Sequence, residues 1–259
     1  MTAAPVASRE AVLETRGLTK AFGGLVAVNA VSLRFLERQP HAIIGPNGAG
    51  KSTLVNLLTA HVRPSEGQIL CRGEDITSLP AHKMPGLGIG RSYQKTNVFP
   101  SFSCFENVRL AAQSRLSTSM RFFRPASSLR ETNAHADEAL ELCGLSARRG
   151  RIAGTMSYGE QRQLEIGMVL ATAPQILVLD EPLAGMGVEE SELMIGLLKD
   201  LARRYTLILI EHDMDAVFSI AEVLTVMVNG TMLESGPVEK VRASRAVQDA
   251  YLGDGGEVF

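Results

Sequence analysis

Gly45-Pro46-Asn47-Gly48-Ala49-Gly50-Lys51-Ser52-Thr53 fits the pattern G-x-x-x-x-G-K-[ST] of loops that grip the phosphates of nucleoside triphosphates. Glycines at 45, 48 and 50 let the backbone bend so that successive N–H groups point inward at phosphate oxygens, where a side chain would block the approach. Lys51 brings a positive charge to the β- and γ-phosphates, and the Ser52 hydroxyl can ligate Mg²⁺. A helix is expected over residues 51–61, with its N-terminal dipole aimed at the same anion. The apolar stretch His41-Ala42-Ile43-Ile44 precedes the loop, and Leu54, Leu57 and Leu58 follow it. Gly-rich turns are common, but here all four required positions are filled in the strand–loop–helix setting that the motif needs.

The chain has 259 residues, enough for one large α/β domain or a core with a subdomain, and 45% hydrophobic residues support a sizeable buried core. A formal net charge of −2 argues against nucleic-acid binding driven by overall charge. No apolar run approaches the roughly 18 residues that span a bilayer. Residues 1–14 are Ala-rich, lack an apolar segment of signal-peptide type and are expected to include a flexible lead-in over 1–12. Cys71, Cys104 and Cys143 are far apart without metal-ligand spacing and read as reduced, partly buried thiols of a cytosolic protein.

Outward from the loop, residues 13–22 and 31–37 read as strands joined by the turn at Gly23-Gly24, and 67–71 as a third, giving an antiparallel β patch. Helical periodicity then dominates, with helices expected over 105–116, 131–143 and 160–170. Between the first two lies 114–130, which holds Arg115, Arg121, Arg124, Arg130, Phe122 and Phe123 and no acid. It reads as a solvated loop, or as a contact for an anionic membrane surface or a partner. Buried strands are expected at 176–179 and 206–210, a helix at 188–204, and a hairpin of 223–228 with 231–233 around Asn229-Gly230. Strands alternating with helices imply a mostly parallel sheet with its ligand at the carboxyl edge. There is no internal repeat.

The run Ile176-Leu177-Val178-Leu179-Asp180-Glu181-Pro182 ends a buried strand in two acids. Adjacent carboxylates repel and desolvate poorly without a positive charge nearby, and Mg²⁺ supplies one. Asp180 is then the metal's acid, and Glu181 the group that polarises the attacking water. His212 closes another buried strand at the same edge and is expected to contact the γ-phosphate and orient Glu181 and the water. Asp213 fits a cap for a helix from Met214 onward. Ser157 and Glu160 fit a capping box, and Ser157 with Gly159 makes a second anion-binding nest at a helix start. One chain with two phosphate-binding ends suggests that two chains share each ATP.

Gly45 to Thr53, Gln94, Met156-Ser157-Tyr158-Gly159-Glu160-Gln161, Asp180-Glu181-Pro182 and His212 follow the order found in ABC transporter ATP-binding subunits, and the chain resembles that family over residues 13–236. The resemblance implies a P-loop NTPase core of α/β class with a mostly parallel sheet, an antiparallel β subdomain and an inserted helical subdomain. It implies a core over 13–90 and 171–236, a helical subdomain over 91–170 and a C-terminal tail over 237–259. ATP and Mg²⁺ are the implied cofactors. Gly45, Pro46, Asn47, Gly48, Ala49, Gly50, Lys51, Ser52 and Thr53 would cradle the phosphates, and Phe22 would stack on adenine. Ser52, Gln94 and Asp180 would serve the metal, with Gln94 also linking it to the membrane subunit. Glu181 matches the general base and His212 the switch histidine. Ser157, Gly159 and Glu160 match the signature that closes on the partner's γ-phosphate.

Leu25-Val26-Ala27-Val28-Asn29, the Tyr158 form of the signature, Ile210-Glu211-His212-Asp213-Met214 and the tail Ala250-Tyr251-Leu252-Gly253 are similar to the branched-chain amino acid uptake subfamily, whose relatives also carry urea, amides and aromatic acids. That likeness implies a second ATP-binding subunit, as a heterodimer or a homodimer, two transmembrane permeases, a periplasmic or lipid-anchored binding protein, no nucleic acid, and a peripheral place on the cytoplasmic face of the inner membrane. The alternative is a non-transport ABC ATPase acting on ribosomes or DNA, but such relatives carry two cassettes or coiled-coil arms, and this chain has one cassette and no sustained heptads. Two positions depart from the family pattern. Gly187 stands where most members have Asp, and Met156 replaces a Leu at similar volume.

Overall fold

The computed structural model describes residues 9–94, 96–115 and 130–252. The first sheet is antiparallel and built on one long strand, β1 (Ala11–Phe22). The Gly23-Gly24 turn, with Gly23 at φ 59°, returns the chain into β2 (Leu25–Val31), which pairs Leu25 with Phe22. A separate short strand, β3 (Arg34–Leu36), pairs with the start of β1. The single strand expected over 31–37 is therefore two strands flanking residues 32 and 33, because β1 is long enough to take a partner at each end. On its other side β1 pairs with β5 (Glu66–Cys71), and β6 (Glu74–Asp75) completes the order β2-β1-β5-β6.

The second sheet runs β11-β10-β4-β9-β8-β7, from β11 (Thr231–Pro237), β10 (Val223–Val228), β4 (His41–Ile44), β9 (Thr206–Ile210), β8 (Ile176–Asp180) and β7 (Ile89–Arg91). Its pairings are parallel except for the β10–β11 hairpin, turned by Asn229 (φ 49°) and Gly230 (φ 78°) as the sequence indicates. The edge strand β7 is absent from the sequence-based expectation. It is short and broken by Gly90, whose α-hydrogen leaves room for Val169 and Pro174, since a Cβ there would lie 2.6 Å from Val169 Cγ1.

Side chains alternate along β8 and β9. Ile176, Val178, Ile208 and Ile210 join one core, under the helix α1 (Lys51–Leu58) and the antiparallel sheet. Leu177, Leu179, Leu207 and Leu209 join the other, beneath α4 (Tyr158–Ala171) and α5 (Val188–Ala202). That second core also contains α2 (Cys104–Ala112) and α3 (Arg130–Leu142), through Val108, Ala112, Ala136, Ala139 and Leu140. Each fully buried aliphatic side chain contributes about 1.5–3 kcal/mol. Both α2 and α4 begin in capping boxes, Ser103 with Glu106 and Ser157 with Glu160. The helix expected to reach residue 61 ends at Leu58, where Ala60 turns left-handed at φ 57°. The one expected to reach 116 gives way after Ala112 to a 3-10 turn, Gln113–Arg115.

Asp213 caps α6 (Met214–Ile220) by accepting the Ala216 N–H at 2.9 Å. Past the last expected strand, α7 (Val238–Arg242) and α8 (Arg245–Leu252) follow, and Val238, Val241 and Val247 close a third core over Ala42, Ile44, Val217, Leu224 and Val226. The three cysteines are free and buried. The Arg-rich loop with Phe122 and Phe123 lies, save its ends, outside the described residues, as does most of the lead-in.

Candidate functional site

The glycine-rich loop leaves β4 and enters α1. Gly45 and Gly50 sit at φ 150° and 96°, and a Cβ on either would meet main chain, Met227 O at 2.1 Å and Ala27 O at 2.3 Å. Their first task is thus to let the loop lie against β10 and β2, whereas Gly48 (φ 81°) has open space around it. The Gly230 N–H donates to Ala49 O at 3.1 Å, tying the loop to the β10–β11 turn. No side chain caps α1 and its first turn holds no acid, so its leading N–H groups stay available to an anion. Lys51 folds back along the loop, its Nζ donating to Gly45 O at 2.6 Å and Pro46 O at 3.0 Å. Burial lowers the Lys51 pKa, while the charges of Glu181 and Asp180 oppose that shift. Asn47, Gly48 and Ser52 are exposed, and Pro46 and Thr53 half-buried beside them.

Asp180 ends β8 and is 4% exposed. Burial raises its pKa, and Arg91 at the end of β7 counters this, with Nη2 3.3 Å from Asp180 Oδ2. The other arm of Arg91 donates to Asn56 Oδ1 and Thr59 Oγ1 at 2.7 and 2.8 Å, so one guanidinium joins α1 to the acid. Glu181 follows in the left-handed region at φ 49°, a conformation that costs a non-glycine residue about 1–3 kcal/mol. Gln94 reaches it, with Nε2 donating to Glu181 Oε2 at 3.0 Å, which leaves the Gln94 carbonyl oxygen free for a cation.

Ser52, Asp180 and Gln94 thus offer hard oxygens only. Among the described residues no cluster of three His, Cys, Asp or Glu side chains forms a metal cage. Few protein oxygens beside phosphates and water is the setting Mg²⁺ prefers, and the donor set fits it.

His212 lies at the same sheet edge, its side chain 70% exposed and its Nδ1 3.8 Å from Glu211 Oε2. Its ring does not hydrogen-bond to Glu181. Glu211, which the sequence alone does not single out, is buried and accepts the Leu183 N–H at 2.8 Å and the His212 N–H at 3.1 Å, so it holds the chain after the acid pair. Phe22 stands 49% exposed at the end of β1, with Lys20 Nζ 5.0 Å from its ring centre.

Ser157 and Gly159 stand apart, at the start of α4. The Ser157 hydroxyl and the Gly159 N–H both donate to Glu190 Oε1 from the first turn of α5. Glu160 is engaged in capping and pairs with Arg148 at 2.6 Å and Arg151 at 3.5 Å. Gly187 is the N-cap of α5 and supplies no side-chain acceptor there. Met156 is buried, with Cys104 Sγ donating to its Sδ at 3.2 Å.

A strand–loop–helix with an uncapped helix start, an inward lysine and an acid pair at the end of β8, one strand removed from β4 in the same sheet, defines a nucleotide-binding cassette of the phosphate-loop class. The family model described as ABC transporter matches residues 28–184. The chain is 41% identical over 250 residues to the high-affinity branched-chain amino acid transport ATP-binding protein BraF of Pseudomonas aeruginosa, covering 94% of this chain and 98% of that one. It is 36% identical, at the same coverage, to LivG of Escherichia coli K12, which carries the same description. Among solved structures, a nucleotide-free ATP-binding cassette from an ABC transporter superposes with TM-score 0.82 at 28% identity, covering 93% of this chain and 99% of that one. An ADP conformation of such a cassette gives 0.83 at 29%, covering 94% and 99%. The chain belongs to the ABC transporter family, and it is an ABC ATPase.

Proposed function

We propose that the chain is the ATP-hydrolysing subunit of an importer for branched-chain amino acids or a related small carboxylate or amide. The observation that carries this is likeness over 94% of the chain to proteins described as branched-chain amino acid transport ATP-binding proteins. Two cassettes, as a heterodimer or homodimer, enclose two ATP molecules, and each ATP lies between one subunit's glycine-rich loop and the other's Ser157 and Gly159. Two transmembrane permeases hold the pair at the cytoplasmic face of the inner membrane, and a periplasmic or lipid-anchored protein delivers the cargo. No helix among the described residues is long and apolar enough to cross a membrane, which suits a peripheral subunit.

Lys51 and the loop amides hold the β- and γ-phosphates, and together with the charge that Mg²⁺ would add they supply most of the rate enhancement. Ser52, Asp180 and Gln94 would hold Mg²⁺, which would supply charge to neutralise the phosphates. Glu181 takes the proton of the attacking water, with His212 orienting the pair. Phe22 stacks on the adenine. The segment 91–170 acts as the helical subdomain that pushes on the permease, and 13–90 with 171–236 as the ATP-binding core.

Glu181→Gln is the direct test. ATP binding is kept, hydrolysis falls by two or more orders of magnitude (about 10²–10⁴ for a lost general base) and a closed dimer accumulates on size exclusion. Undiminished turnover would remove Glu181 from the role of base. Leucine uptake into proteoliposomes that hold the permeases and the binding protein tests the cargo, and uptake of urea alone would move it to another branch of the subfamily.

A further inference from the structure

Arg162 and Glu165 lie one turn apart on α4, with side chains only 2% and 5% exposed. Arg162 Nη1 is 3.0 Å from Glu165 Oε2 and also donates to Tyr93 O. Its other arm, Nη2, donates to the main-chain oxygen of Glu181 at 2.8 Å. Glu165 Oε1 accepts the Tyr93 N–H at 3.0 Å. Tyr93 precedes Gln94, and Gln94 in turn bonds the Glu181 carboxylate. A closed ring results, from α4 to the Glu181 main chain, through its side chain to Gln94, and back by the Tyr93 main chain to α4.

Stability alone does not account for this pair. A buried ion pair is desolvated at high cost, and apolar side chains of similar volume commonly serve as well. The Arg162 Nε also finds no acceptor. What the pair does secure is the main chain of Glu181, the residue left in a strained left-handed turn at φ 49°. The grip comes from α4, the helix with Ser157 as its N-cap and Gly159 in its first turn.

We propose that Arg162, braced by Glu165, is a positioning residue: it fixes the backbone that aims the Glu181 carboxylate and makes that aim depend on the placement of α4. Engagement at the start of α4 is thereby transmitted to the base of the same chain. The proposal rests on Glu181 being the base, which Glu181→Gln tests separately.

The experiment is single-turnover ATP hydrolysis with Mg²⁺ by the purified full chain, comparing wild type, Arg162→Lys, the double variant Arg162→Met with Glu165→Met, and Glu181→Gln. Lysine keeps the charge beside Glu165, but its single nitrogen cannot also serve the Tyr93 and Glu181 carbonyls. In both clamp variants the ATP Kd stays within about twofold of wild type while the hydrolysis rate constant falls about 100-fold, the loss expected of a displaced reacting group. Arg162→Met alone lowers Tm by about 10 °C, because Glu165 is left buried and unpaired. A purely structural clamp would change Tm and leave the rate per folded molecule untouched. A folded clamp variant with the wild-type rate, beside an inactive Glu181→Gln, overturns the clamp alone, and Arg162→Lys decides the matter even if the double variant does not fold. An active Glu181→Gln brings down the clamp and the base together.

Discussion

The Ser157 hydroxyl donates to Glu190 Oε1 at 2.7 Å, and the Gly159 N–H approaches the same oxygen at 3.3 Å. A carboxylate of the chain itself thus occupies the donors proposed to take the partner's γ-phosphate. The fit is close, since a Cβ on Gly159 would lie 2.8 Å from Glu190 Cδ. A phosphate reaching these donors meets like charge and displaces the carboxylate first.

Glu190→Ala removes that competitor. Charge-assisted hydrogen bonds contribute about 1.5–3 kcal/mol, so ATP-driven pairing of Glu181→Gln subunits is expected to tighten roughly tenfold, as read by sedimentation against ATP concentration. The isolated chain loses an acid from the first turn of α5, and its Tm falls by about 1–4 °C. Unchanged pairing would show that Glu190 leaves the nest without cost.

The glycines of the loop are expected to differ sharply. Gly45→Ala forces a Cβ to within 2.1 Å of Met227 O, so β4 and β10 must part, and the chain either fails to fold or loses well over 3 kcal/mol in chemical denaturation. Gly48→Ala meets nothing within 4 Å and bears only its left-handed φ, a loss of about 1–2 kcal/mol with the fold kept. Equal losses at the two sites would contradict the account of loop packing.

His41 gives a pH signature. It is buried beneath Phe35, with Nε2 2.7 Å from Thr225 Oγ1, and burial pushes its pKa from 6.5 down to about 4. The unfolded chain takes up this proton more readily, so the contribution is complete above pH 6.5 and is lost as pH falls toward about 4. The whole span is worth about 3 kcal/mol. Chemical denaturation from pH 7.5 to 4 is expected to show this proton uptake, and His41→Gln to flatten the curve by that amount; a variant with the wild-type slope would assign the uptake elsewhere.

Features carried by local chemistry were legible in the sequence. The apolar run ending in Asp180 and Glu181, the Asp213 cap and the Asn229-Gly230 turn each depend on neighbours within a few residues, and each forms as read. Features that depend on distant partners were not. Strand β7 has three residues and exists only by pairing with β8. Arg91 is a solvated surface cation by its sequence neighbours, and its role appears once Asp180, 89 residues away, is brought beside it. Glu190 reads as a helix-start acid, which it is, and nothing local indicates that it caps a second helix as well. Arg162 and Glu165 look like an ordinary exposed i,i+3 pair. The one local hint of their burial is the apolar company of Leu164 and Ile166.

The alternation along β8 has a consequence for chain length. Ile176 and Val178 serve the core under α1, whereas Leu177 and Leu179 serve the core under α4 and α5. Inserting or deleting one residue before Asp180 would do more than slide the acids along the edge. It would exchange the leucines with the branched residues, sending each set into the cavity shaped for the other, and both interiors would reject the change at once. The carboxylates at the tip are therefore held to their station by a counting rule enforced from two sides, and variation in this stretch is confined to swaps of like shape.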